Sequence, residues 1–286
     1  MIKPIVNISK IIENFDIVIV GWSGVLSDGN GIRKEAADAL IYMKKRGKRL
    51  VLLTNSPKRI LTLAKELHAA NVPPAVFDAI MSAGEILHYC LKTRSGDFAA
   101  LGHKYYLLGS PAELSVFAGL DYERVDNVAE ADFLYMGAPV SADDCINNYL
   151  PVLEHAAGLG LPFVCAGNDT SCFIGDKVCI APAALAEQYA VLGGKIITLG
   201  KPDSKIISYC LDGFDNLDKN RTLLIGDNIM TDIKGANLVG IPAVLVSKGV
   251  HVNFLGEGYI PDVAKTREIA NNYDAYPDYV ISNLRW

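Results

Sequence analysis

Residues 16–28 read DIVIVGWSGVLSD: an apolar run from Ile17 to Val20, a tight turn through Gly21, Trp22 and Ser23, then Gly24-Val25-Leu26 and Asp28-Gly29. An apolar run that breaks off into a glycine-flanked turn reads as a core strand delivering a loop. The pattern recurs. Arg49 to Leu53 is followed by Thr54-Asn55-Ser56-Pro57, Ala79 to Ser82 looks like another strand end, and Thr222 to Ile225 is followed by Gly226-Asp227-Asn228. Lys195 to Leu199, Ala243 to Val246 and Tyr279 to Ser282 supply further strands near the C-terminus. Amphipathic segments lie between them. One helix is expected around Glu35 to Arg46, closed by Gly47, and another runs to about Ala70, with Ser56 as N-cap and Pro57 at N1. Strands alternating with helices imply an α/β fold, here a Rossmann-like core with a parallel sheet.

Between about Gly84 and Leu192 the chain has its own rhythm. Tyr105 to Gly109, Phe133 to Gly137 and Leu161 to Ala166 look like strands, with a helix around Ala142 to Ala157 between the last two. A domain inserted into a loop of another domain accounts for this, because insertion is tolerated where chain ends lie close together. The expected organisation is a core from 1–84, an inserted α/β domain over 85–192, and the core again over 193–286.

Half of the 286 residues are hydrophobic, enough for one large domain or two ordinary ones around a buried core. No apolar run approaches the length of a bilayer span, and MIKPIVNISK at the N-terminus lacks the apolar segment and cleavage site of a signal peptide. No membrane association is expected. The net charge of −5 comes without a basic stripe, which disfavours nucleic acid. Cys90, Cys145, Cys165, Cys172, Cys179 and Cys210 form no CxxC pair and read as reduced, mostly buried thiols of a cytoplasmic protein. A homo-oligomer is compatible with all of this.

In an open parallel sheet, ligands sit at the carboxyl ends of the strands. Four chemistry-bearing stretches follow apolar runs directly: the 21–24 turn, Thr54-Asn55, Gly200-Lys201-Pro202-Asp203, and Gly226-Asp227-Asn228 with Asp232 behind it. All four should converge on one edge. Phosphoryl transfer asks for such parts: a nucleophile, groups that hold the phosphoryl oxygens, and a cation to offset charge. Thr54 alone reads as a strand-end residue capping the next helix. Lys201 alone reads as a solvated loop lysine, although at a strand-to-helix turn it can bind phosphate as a point charge. Asp227 and Asp232 are either helix caps or a pair of hard-oxygen ligands suited to magnesium. Asp28 reads as part of a simple Asp-Gly turn.

The ordered set resembles the four motifs of the haloacid dehalogenase superfamily. The stretch from Leu192-Gly193-Gly194 to Gly200-Lys201-Pro202 resembles its class IIA branch, which includes sugar phosphatases, p-nitrophenyl phosphatases, and phosphoglycolate and pyridoxal phosphatases with a large inserted cap. The most specific element is Gly-Asp-Asn-x-x-Thr-Asp-Ile-x-x-Ala at 226–236. The resemblance implies a phosphoric monoester hydrolase acting on a small phosphorylated metabolite. It implies that Thr54 and Asn55 bind phosphate together with Lys201. It also implies Mg2+ held by Asp227, Asp232 and the main-chain carbonyl of Ser23. In the cap, Phe163 to Asp169 resembles the loop that such enzymes lower onto the substrate, which singles out Asn168 and Asp169. The family wording there is Cys-Ala-Asn-x-Asp, so Gly167-Asn168 departs in register, and the stretch reads equally well as a polar β-turn.

The first loop departs most. The resembling phosphatases read Asp-x-Asp-Gly-Val, with the first Asp attacking phosphorus and the second shuttling a proton. Here the nucleophile position is Gly21 and the acid/base position is Ser23, while the Trp that one branch carries at the third position stands at the second, Trp22. Acid–base help is worth about 10²–10⁴-fold, and losing a covalent nucleophile costs on the order of 10⁶ in well-studied cases. The expectation is a phosphatase-type protein that acts on or binds a phosphorylated metabolite of the sugar-phosphate class, with hydrolysis impaired. The alternative is a non-catalytic phospho-ligand-binding or regulatory protein on the same fold.

Overall fold

The computed structural model describes residues 2–215 and 217–286. The chain separates into two units, one of Met1–Thr54, Leu61–Met81 and Lys201–Trp286, the other of Asn55–Ile60 and Ser82–Gly200. Among the described residues the strands are, in chain order, β1 (Lys3–Pro4), β2 (Ile17–Val20), β3 (Arg49–Thr54), β4 (Ala79–Ser82), β5 (Lys104–Leu108), β6 (Glu123–Val125) and β7 (Phe133–Met136). They continue with β8 (Phe163–Ala166), β9 (Ser171–Ile174), β10 (Lys177–Ile180), β11 (Ile196–Leu199), β12 (Thr222–Gly226), β13 (Ala243–Val246) and β14 (Tyr279–Ile281).

The first unit holds a seven-stranded sheet in the order β1-β14-β13-β12-β2-β3-β4, in which the pairs from β1 to β3 are all parallel. Strands from both ends of the chain therefore share one sheet. Every residue of β2 is buried, and its two faces feed two different cores. Val18 and Val20 pack with Leu50, Leu52, Leu223 and Ile225, whereas Ile17 and Ile19 pack with Val51, Leu53, Leu224 and Leu245. Helices cover both faces of a parallel sheet, so its strands read as continuous apolar runs rather than alternating ones. Helix α1 (Lys34–Lys45) buries Ala36, Ala39, Leu40 and Met43, the i, i+3, i+4, i+7 stripe of a core-facing helix. Gly47 follows with φ of +72°, the left-handed turn that ends it.

The second unit has its own all-parallel sheet, ordered β11-β8-β7-β5-β6, and a separate antiparallel hairpin of β9 and β10. This corrects the sequence reading in one respect. The strand expected at Lys195 to Leu199 does not join the first sheet; β11 pairs with β8. The junctions accordingly fall after Met81 and after Gly200, not at 84/85 and 192/193, and the second unit also takes Asn55–Ile60. An apolar run states that a strand exists. It carries no information about which sheet will receive it.

Two helix starts also differ from expectation. Helix α2 (Ile60–Ala69) begins well after Ser56 and Pro57. Its first turn is served from a distance: the Ile60 N–H donates to the Glu85 carboxylate at 3.1 Å, and Arg59 grips the same carboxylate in two bonds of 2.7 and 2.8 Å. Glu85 belongs to helix α3 (Ala83–Thr93), whose N-cap Ser82 accepts from the Glu85 N–H and donates to the Lys58 carbonyl. Helix α4 (Leu150–Gly158) is shorter than the expected Ala142 to Ala157 and is entered through a tight turn at Ile146–Asn148. The clasp between residues 56–60 and 82–85 is close. The Gly84 N–H donates to Ser56 O at 3.0 Å, and a Cβ on Gly84 would stand 1.9 Å from the Pro57 carbonyl oxygen. Gly84→Ala should therefore cost about 1–3 kcal/mol through overpacking, read as a lower urea midpoint. An unchanged midpoint would show that the clasp yields freely.

Candidate active site

The first loop is positioned by β2 and its neighbour β12. The Gly21 N–H donates to Ile225 O at 2.9 Å, continuing the ladder one residue past the strand. The Trp22 carbonyl then accepts from both Leu26 and Ser27, and the Trp22 ring is buried in the core. The position of this aromatic, unusual in the sequence, is thus explained by packing. Gly24 has φ of +69°, and a Cβ there would stand 1.8 Å from Asp227 Oδ2. Only glycine lets the loop run against that carboxylate. Asp28 is occupied elsewhere: it accepts from the Asn30 N–H at 3.1 Å and lies 3.4 Å from Arg33.

Lys201 and Asp232 form the centre of the site. Both are buried, and Lys201 Nζ donates to Asp232 Oδ1 at 2.6 Å and to the Leu53 carbonyl at 3.0 Å. Asp232 Oδ2 accepts from the Asp227 and Asn228 N–H groups at 3.2 and 3.1 Å. Such a pair is held as much by its backbone bonds as by its charges, since burying ions is costly unless their remaining valences are met. Asp227 is also buried, and its Oδ2 accepts from the Val250 N–H at 2.8 Å. The loop that carries these aspartates passes through a π-turn at Ile229–Ile233, an arrangement that departs from ordinary helix hydrogen bonding.

Position 21 opens onto this pair. A Cβ built on Gly21 would stand 3.8 Å from Asp232 Oδ1, 3.5 Å from Ile225 O and 3.3 Å from Val25 Cγ2. A side chain there would thus start beside the Lys201–Asp232 bridge, and glycine supplies none. Ser23 lies two residues on, and no carboxylate or imidazole pairs with its hydroxyl among the described residues. The cysteines offer no substitute. All six are free thiols, and burial pushes Cys165, Cys172 and Cys210 up to about 12, far from thiolate.

Magnesium, implied by the resemblance, is served by part of the expected set. Asp232 is committed to Lys201 and to two backbone N–H groups, so it anchors the lysine rather than presenting a ligand. Asp227 lies against the loop at Gly24, and the Ser23 carbonyl is the one that precedes that glycine in sequence. Among the described residues no group of three or more His, Cys, Asp or Glu side chains is placed to hold a metal ion. The set fits a cation that brings water and phosphate oxygens with it, the usual habit of Mg2+.

Thr54 is the last residue of β3 and is buried in the first unit with Lys201 and Asp227. Asn55, expected beside it, belongs to the second unit. There it packs directly against Gly167 and Gly200. Asn168 Nδ2 donates to Gly200 O at 3.3 Å, and Asp169 follows just before the β9–β10 hairpin.

One neighbour of the aspartate loop escaped the sequence reading. His251 Nε2 accepts the Ile229 N–H at 3.1 Å, so its ring is neutral and protonated on the other nitrogen. Burial pushes its pKa down from 6.5 to about 4, against the pull of Asp232. A histidine lying 19 residues from Asp232 in sequence carries no local signal of this contact. In the unfolded chain His251 takes up its proton near 6.5, and in the folded protein only near 4. The contribution of His251 to stability is therefore complete above pH 6.5 and falls by about 3 kcal/mol as pH drops to about 4. Urea unfolding across that range should show the loss, and His251→Gln should flatten it.

Comparison with known proteins agrees with this architecture. Residues 18–123 match the haloacid dehalogenase-like hydrolase family, and residues 198–286 match the HAD-hydrolase-like family. The chain is 28% identical over 242 residues to ribonucleotide monophosphatase NagD of Escherichia coli, covering 82% of this chain and 88% of that protein. A haloacid dehalogenase-like hydrolase from Brucella suis superposes with a TM-score of 0.79 at 25% identity, over 97% of this chain and 98% of that one. The glycerol phosphate phosphatase of Mycobacterium tuberculosis, solved in complex with magnesium, superposes with a TM-score of 0.59 at 18% identity, over 84% and 70%. With motifs at both ends of the chain, two matching family segments and a shared fold over nearly its whole length, the chain is similar to the haloacid dehalogenase-like hydrolases, and its relatives support the class IIA resemblance.

Proposed function

We propose that this protein binds a small phosphorylated metabolite of the sugar-phosphate class and hydrolyses it poorly or not at all. The observation that carries the reading is position 21, where the start of a side chain would lie beside the Lys201–Asp232 bridge and glycine supplies no carboxylate. The names of the relatives, a ribonucleotide monophosphatase and a glycerol phosphate phosphatase, favour a phosphorylated small molecule as ligand. Lys201 and Thr54, at the rim of the sheet, hold the phosphoryl oxygens, the lysine charge strengthening each hydrogen bond to them. In the second unit, read as the cap, Asn168 and Asp169 keep the substrate-loop role that the resemblance implies. Ser23 stands where the acid/base belongs, and nothing activates it.

Calorimetry with inorganic phosphate and glycerol phosphate tests the binding half of this reading. Micromolar to low-millimolar association that weakens at least about tenfold in Thr54→Ala is the expected result. Equal binding by both proteins would remove Thr54 from the site. Magnesium, when bound, offsets charge on the phosphate oxygens, with Asp227 and the Ser23 carbonyl as its protein ligands. Its heat should be weak without phosphate, clear with phosphate, and absent in Asp227→Asn. Identical heats for parent and variant would discard Asp227 as a ligand.

A further inference from the structure

The backbone N–H groups that open the aspartate loop can be traced one by one to their acceptors. Those of Asp227 and Asn228 go to Asp232 Oδ2 at 3.2 and 3.1 Å, and that of Met230 goes to Asn228 Oδ1 at 2.9 Å. Those of Asp232 and Ile233 go to Asn228 O. All of these bonds stay within residues 227–233. The Ile229 N–H is different: its acceptor is His251 Nε2, 22 positions away in the chain.

His251 does not act alone. The residue before it, Val250, gives its N–H to Asp227 Oδ2 at 2.8 Å. Two adjacent residues thus hold the loop at two points, one on the Asp227 carboxylate and one on the backbone two residues further on. The approach is as close as the chain allows. A Cβ on Gly249 would stand 2.1 Å from Asp227 Cβ, just as one on Gly24 would stand 1.8 Å from Asp227 Oδ2. Asp227 is therefore hemmed in by glycines from two different loops.

The segment that supplies these contacts is itself fixed. The Ser247 and Lys248 N–H groups donate to Ile281 O and Ser282 O at 2.8 and 3.1 Å, prolonging the pairing of β13 with β14. On the other side His251 caps the short helix Val252–Leu255, whose Leu255 is buried. The opening N–H groups of a helical turn find no partner inside it. At Ile229 the partner is a ring nitrogen of fixed direction on a fixed segment.

The consequence concerns the cation. With glycine at 21 no carboxylate stands at the start of the first loop, so the charge offered to Mg2+ falls to Asp227. Affinity then depends on how well that one carboxylate is held before the ion arrives, because a group already in place loses little freedom on binding. We propose that His251 is a positioning residue for the magnesium site: through the Ile229 N–H, and together with the Val250 N–H on Asp227 Oδ2, it holds the aspartate loop in its binding geometry. The inference rests on the reading of Asp227 as a magnesium ligand. His251 itself contacts neither the ion nor the phosphate.

Calorimetry with Mg2+ in the presence of inorganic phosphate, on the parent, Asp227→Asn, His251→Leu and His251→Gln, provides the test. Glutamine keeps an oxygen that can accept the Ile229 N–H, and leucine has none. Partners that orient a metal ligand typically govern about 10–100-fold in affinity, so His251→Leu should bind at least about tenfold more weakly than the parent, with His251→Gln restoring most of the loss. Amide exchange supplies a readout that a general loss of stability would not give. The Ile229 amide should exchange at least about tenfold faster in His251→Leu while the amides of β12 keep their parent rates. If His251→Leu does not fold, His251→Ala, which also lacks an acceptor, takes its place in the comparison. Equal Mg2+ affinity in the parent and in the variant without an acceptor would overturn the proposal and leave Asp227 as a ligand. Equal weakening in the leucine and glutamine variants would also overturn it, by showing that ring packing rather than the acceptor matters. If parent and Asp227→Asn give the same heat, the magnesium reading itself fails, and the proposal fails with it.

Discussion

Gly21→Asp combined with Ser23→Asp should raise p-nitrophenyl phosphate hydrolysis about a thousandfold or more over a parent that turns over near background. The scale is set by the missing parts: a positioned acid or base is worth about 10²–10⁴-fold, and removal of a covalent nucleophile costs on the order of 10⁶. The rest of the site is prebuilt. Gly21 does not sit in the left-handed region, and its Cβ would meet only Val25 Cγ2 at 3.3 Å, a contact relieved by a small shift. The new side chain would start from a Cβ 3.8 Å from Asp232 Oδ1, where the Lys201 charge offsets repulsion between the two acids. Neither single replacement should suffice, because nucleophile and acid act as a unit. A parent already turning over at about 1 s⁻¹ would reveal an unrecognised nucleophile and end the binding-protein reading.

Lys201→Met should be the most destabilising single change at the site. It leaves Asp232 buried with two backbone donors but no counter-charge, a situation that typically costs about 3–5 kcal/mol. Thermal unfolding should show the loss, and Asp232→Asn in the same chain should recover part of it by removing the orphaned charge. If Lys201→Met were as stable as the parent, the bridge would be contributing nothing, and its role would be confined to ligand binding.

Much of this was legible in the sequence, for reasons that can be named. Ile17 to Val20 declared itself because a strand buried on both faces needs four apolar residues in a row. Asp227 and Asp232 declared themselves because one loop carries both. For Lys201 the sequence showed a strand-to-helix turn but not its setting. Its apolar run, β11, was read as another strand of the first sheet, yet β11 belongs to the second, and Lys201 reaches Leu53 and Asp232 from the start of the returning segment. What remained hidden is long-range. The Glu85 carboxylate serves the first turn of α2, Val250 and His251 secure the aspartate loop, and Arg285 reaches Val6 across 279 positions. Local composition records none of these.

Thr54 is the last residue before the chain first leaves the first unit, and Lys201 is the first residue after it finally returns. Between them the chain crosses four times, after Thr54, Ile60, Met81 and Gly200, and the first and last of these crossings fall directly beside site residues. A single residue gained between Gly200 and Lys201 would swing the ammonium off the Leu53 carbonyl and away from Asp232. Insertions within the second unit should therefore be better tolerated than insertions at the Gly200–Lys201 crossing.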